Sequence, residues 1–117
     1  MQETPQQYIA RMLGYVEGRD PWKIQSSTAK KLSRLIRGVP RRKLARRPAP
    51  GKWSVAEILG HMADAEWVVG YRLRMVLKAS GTPIQAFNQD DWARSANYAR
   101  QDPAKSLALF HALREAN

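Results

Sequence analysis

The 117-residue sequence contains no cysteine. That excludes disulfides, thiolate nucleophiles and cysteine-ligated zinc together. It has no apolar run near the ~20 residues needed to cross a bilayer, so no membrane contact is expected. The opening stretch MQETPQQYIARML shows no basic region followed by an apolar one, which argues against a secretion signal. A cytoplasmic location is the expectation. G-x-G-x-x-G, P-loop and H-E-x-x-H patterns are all missing, and no Ser/His/Asp constellation follows from spacing. Histidine is scarce: His61 and His111 are the only two.

Acid is missing from one long stretch. Between Asp20 and Glu57 there is no Asp or Glu, and the net charge of +10 comes entirely from the first half of the chain. The segment PRRKLARRP brings Arg41, Arg42, Lys43, Arg46 and Arg47 close together. Such a patch can hold nucleic acid or an acidic partner, or it can be a solvated loop. Nucleic-acid modules usually add aromatic side chains for stacking, and residues 41–47 contain none. Weak, non-specific nucleic-acid binding at most is expected.

What is present is helical. Hydrophobic residues make up 44% and charged residues 26%, a globular composition, and the length suits one domain over residues 1–117. No segment alternates with period two for long enough to make a strand. A first helix is expected over Pro5–Glu17, with Tyr8, Ile9, Met12, Leu13 and Val16 at helical spacing. Asp20-Pro21 reads as an N-cap followed by proline at the first helical position. The helix it opens should bury Trp22, Ile24 or Gln25, Ala29, Leu32, Leu35 and Ile36 before Gly38-Val39-Pro40 ends it. Residues 40–52 read as loop. Ser54 with Glu57 fits the S-x-x-E capping box. From there an apolar stripe of Val55, Ile58, Leu59, Met62, Ala65, Val69, Leu73 and Val76 predicts a helix of about 25 residues, roughly 38 Å long. A short helix is expected around Asp90–Tyr98, and Asp102-Pro103 opens the last one.

The last helix carries Leu107, Phe110 and Leu113 and runs to Asn117 without a cap. Its apolar face needs a partner surface. With Trp67 or Val69 and Leu73 it predicts an exposed apolar strip, and a homodimer that covers it.

Among single residues, His61 is the most informative. On a helix it shares a side with Glu57, Asp64 and Ala65, at the margin of the apolar stripe. It is either a boundary residue hydrogen-bonded to a neighbour or one ligand of a site completed elsewhere. Trp53 fits a hydrophobic staple, and Trp67 and Trp92 read as core. Arg72 and Arg74, near the middle of the long helix, can clamp an anion; the plainer reading pairs Arg72 with an acid on a neighbouring helix and sends Arg74 to solvent.

Taken in order, APGKWSVAEILGHMADAEWVVGYRLRMVL, then GTPIQAFNQDDW, then SLALFHALREAN resembles the DinB-like, YfiT-type superfamily of bacterial four-helix bundles. The pattern W-[ST]-x-x-[EQ]-x-[LIV]-x-H matches Trp53, Ser54, Glu57, Leu59 and His61. Downstream, Asp90 or Asp91 with Trp92, and an L-R-x-x-N of Leu113, Arg114 and Asn117, match further anchors. The resemblance implies an all-α bundle of up-down-down-up type. It also implies a metal-dependent protein in which three histidines bind zinc or nickel, His61 standing at the first position. The other two histidines belong to an H-x-x-x-H pair on a last helix. That pair does not occur here, and His111 occupies neither of its positions, so the chain corresponds to the N-terminal two-thirds of the family fold, with an incomplete metal site. Activities implied by the resemblance are thiol-dependent S-transfer on a small molecule or thiol substrate, and hydrolase-like chemistry. The alternative is a non-catalytic bundle that binds an acidic partner or nucleic acid through its basic half.

Overall fold

The computed structural model describes residues 2–117. Among them there is no strand; the order is α1 (Pro5–Gly14), α2 (Pro21–Ile36), α3 (Arg41–Leu44), α4 (Val55–Lys78), α5 (Gln89–Ser95), a 3₁₀ turn (Tyr98–Arg100) and α6 (Pro103–Ala116). The capping signals act as their chemistry requires. Asp20 accepts from the Trp22 and Lys23 amides, and Asp102 accepts from that of Ala104. At Ser54 both bonds of the capping box form: the Glu57 amide donates to Ser54 Oγ at 3.1 Å, and the Ser54 amide donates to Glu57 Oε1 at 3.2 Å.

The centre of the molecule is α4 against α6, with α2 lying on α6. Ala29, Leu59, Ala63, Leu107 and Phe110 form the buried cluster, with Leu32, Ile36 and Met62 packed on it. The face that α4 buries differs from the one its large apolar residues predict. Ala56, Leu59, Gly60, Ala63, Val68 and Gly70 are buried, whereas Val55, Ile58, Val69, Leu73 and Val76 remain 40–45% exposed. Small residues on the buried face let α6 and the 3₁₀ turn approach closely. A Cβ on Gly60 would sit 3.0 Å from Gln101 Oε1 and 3.1 Å from the Tyr98 ring.

Other expectations are corrected as well. Leu107 and Phe110 are core and take no part in an exposed strip, because α6 turns them into the cluster with Ala29 and Leu59. Trp67 is 58% exposed and stacks on Tyr71 outside the core. Trp22 and Leu35 are exposed, since α2 presents only its Ala29 side to α6. α1 ends three residues early, at Gly14, and Tyr8, Ile9, Leu13 and Val16 lie exposed because it packs extensively on no other element. Within the stretch expected to be loop, Arg41–Leu44 form a helical turn and bury Leu44. The expected short helix divides into α5 and the 3₁₀ turn, separated by Asn97 at φ +50°. The Cα radius of gyration is 15.7 Å, above the ~13 Å of a compact domain this long, as suits helices with unburied faces. No helix among the described residues is long and apolar enough to cross a membrane.

Candidate functional site

His61 lies on α4, one turn beyond Glu57, and is half-buried. The ring of Trp53 meets it edge-on, with centroids 5.1 Å apart, and the same indole lies 6.3 Å from Tyr98. Trp53 thus walls the histidine. His61 Nδ1 is shielded from solvent and has no hydrogen-bond partner. Burial lowers the imidazole pKa below its ordinary 6.5, while the charges of Asp64 and Asp90 oppose that shift. The neutral ring is therefore favoured, the form that can donate a lone pair.

Each carboxylate on the same side of α4 is committed elsewhere. Glu57 is 3% exposed and receives two hydrogen bonds from Arg47, Nε to Oε1 at 2.8 Å and Nη2 to Oε2 at 2.7 Å. This fork, with lesser help from Ser54, holds the carboxyl at about 2 despite burial. Asp64 accepts from the hydroxyl of Tyr98 at 2.5 Å. Tyr98 is fully buried, and burial, then the bond to Asp64, push its hydroxyl well above the usual phenol range. Two residues beyond Asp64, Glu66 is 6% exposed. It accepts from Arg114 Nη2 at 3.1 Å and from Asn117 Nδ2 at 3.2 Å. The Arg114 guanidinium also lies 4.7 Å above the Phe110 ring. The L-R-x-x-N residues are thus a clamp between α6 and α4.

None of these carboxylate pairings across elements was visible in helical periodicity, because each joins residues ten or more apart. The motif positions Glu57, Arg114 and Asn117 were the signal that could have found two of them. One arginine expectation is corrected. Arg72 meets no acid; its Nη2 donates to the Gln85 carbonyl at 2.7 Å, held by the bend of residues 82–87 back along α4. Arg74 is exposed, as expected, and its Nη1 also donates to the Gly70 carbonyl at 2.8 Å and to Asn117 Oδ1 at 3.1 Å. Arg47 is exposed like Arg41, Arg42, Lys43 and Arg46, but unlike them it is engaged by a buried carboxylate, that of Glu57.

A metal needs several donors in one place, and three protein ligands are usual in catalytic zinc sites. Among the described residues, no group of three or more His, Asp or Glu side chains is placed to hold an ion. His111 lies among different neighbours, in the groove of α6 against α2 with Lys30, Ser33 and Ile36, and pairs with Glu115 at 3.2 Å. Residues 2–117 therefore do not fit a three-ligand metal. They offer one half-buried imidazole with a free nitrogen.

The sequence pattern of the DinB superfamily matches residues 26–117. The chain belongs to the DinB superfamily. Among solved structures it is similar to YfiT from Bacillus subtilis, described as a probable metal-dependent hydrolase with an unusual four-helix bundle topology. The TM-score is 0.73 at 21% identity, over 80% of this chain and 54% of that one. The fold is that of the YfiT bundle, of which the chain spans about half the length. No curated protein sequence matches the chain.

Proposed function

We propose that this DinB chain contributes His61 to a metal-dependent, hydrolase-like centre whose remaining ligands are not among residues 2–117. The observation that carries this is the buried, unpartnered Nδ1 of His61, at the histidine of the W-S-x-x-E-x-L-x-H motif. Arg47 and Tyr98 engage the nearby carboxylates, which leaves the imidazole available to an ion. Zinc or nickel is the metal proposed, and hydrolysis is placed ahead of thiol-dependent S-transfer because of the description YfiT carries. A cytoplasmic setting and a single domain over residues 1–117 belong to the same proposal. Equilibrium dialysis against zinc and nickel tests the incompleteness. The monomeric chain should retain less than stoichiometric metal. Tight, stoichiometric retention by a proven monomer would overturn it.

Two further parts have their own support. The exposed α4 strip of Val55, Ile58, Val69, Leu73 and Val76 supports a homodimer in which a second copy covers it. The exposed Arg41, Arg42, Lys43 and Arg46 support weak, sequence-independent binding to polyanions. Such binding falls steeply with salt.

A further inference from the structure

A cavity walled by aromatic rings and carrying one arginine lies away from His61. A cleft of about 380 Å³ opens between the second half of α4 and the strap of residues 82–87, closed at one end by Trp92. That volume suits a small molecule. Its walls are aromatic: Trp67 stacks on Tyr71 with ring planes 7° apart, and Phe87 packs on Trp92 with centroids 4.7 Å apart. Arg72 is half-buried in this lining and sits 5.8 Å from the Phe87 ring centroid. Among the described residues no carboxylate lies within ion-pair distance of it. One of its nitrogens is bound to the Gln85 carbonyl, and Nε has no partner. A partly desolvated guanidinium without an anion is unfavourable unless one arrives.

We propose that this cleft binds a small planar aromatic carboxylate. Arg72 pairs the carboxylate, and Trp67, Phe87 and Trp92 hold the ring by offset and edge contacts. The charge sets the preference for an acid, because a neutral molecule leaves the guanidinium unpaired. The proposal does not depend on His61 binding a metal.

The test uses naphthoate and its uncharged isostere naphthamide, titrated into the full chain by calorimetry and followed by amide NMR. Naphthoate should bind about tenfold more tightly than the amide, with shifts centred on Trp67, Phe87 and Trp92. Trp67→Ala removes a largely exposed ring without touching the core, and should weaken naphthoate about fivefold. Arg72→Met should erase the acid preference. Since Arg72 also holds the strap, Arg72→Lys serves as the folded control and should keep part of the preference. Equal affinity for acid and amide, no naphthoate binding up to its solubility, unchanged binding by Trp67→Ala, or shifts centred on residues 41–46 would each overturn the proposal.

Discussion

Arg47 grips Glu57 through two parallel hydrogen bonds, 2.8 and 2.7 Å long, across ten residues of chain. One carboxylate therefore closes the cap of α4 and fastens the proline-rich segment before it. His61 lies one turn further along the helix that this pair fixes at its start. Arg47→Gln leaves a buried carboxylate with only the Ser54 amide. It should lower the urea midpoint clearly. Arg46→Gln, at an exposed neighbour, should stay within about 0.5 kcal/mol of the parent. Equal effects of the two would mean that Arg47 only solvates the loop.

The same pair sets a pH dependence. Glu57 titrates at about 2 in the fold, against an ordinary 4.5, chiefly because of Arg47. A depressed carboxyl pKa stabilises the fold fully above the ordinary value and loses that contribution as the pH falls toward the folded one. Stability should therefore drop as the pH falls from 4.5 toward 2, and the drop should be smaller in Arg47→Gln. Parallel pH profiles for the two proteins would contradict this.

Gly60 permits the close approach of the 3₁₀ turn to α4. A methyl group there meets the fully buried Tyr98 ring and Gln101. Gly60→Ala should destabilise by about 1–3 kcal/mol through overpacking, and the bond from Tyr98 to Asp64 should weaken with it. Gly14→Ala, with nothing within 4 Å of its Cβ, should be neutral or slightly stabilising. Thermal melts of the two variants separate the outcomes; a neutral Gly60→Ala would show that the turn yields freely.

The association surface, if α4 supplies it, runs through Leu73 rather than Phe110. Leu73 is 45% exposed and Phe110 only 1%. Leu73→Glu should yield a folded monomer by light scattering. Phe110→Ala should instead cost about 3–5 kcal/mol of core packing without such a folded monomer. A parent chain that is already a stable monomer would contradict the homodimer.

Local chemistry was legible in the sequence, and long-range pairing was not. Asp20, Ser54 with Glu57, and Asp102 announced three helix starts because a cap involves neighbours only. The buried face of α4 was missed because large apolar side chains drew the stripe. The close approach of α6 and of the 3₁₀ turn instead selects small residues, Ala56, Gly60, Ala63 and Gly70. His61 was legible as a singular residue on a motif. Its isolation was not, because that depends on Arg47 and Tyr98 reaching in from distant segments to take Glu57 and Asp64. Trp53, placed by sequence as a staple, turns out to wall the imidazole as well.

The most direct test of the central claim is a cobalt(II) titration of the chain beside His61→Ala and His111→Ala, read by calorimetry. The free nitrogen of His61 predicts that His61→Ala removes most of whatever weak affinity the chain has, and that His111→Ala removes little. Loss of affinity on His111→Ala alone, or binding indifferent to His61, would contradict the assignment of His61 as a metal ligand.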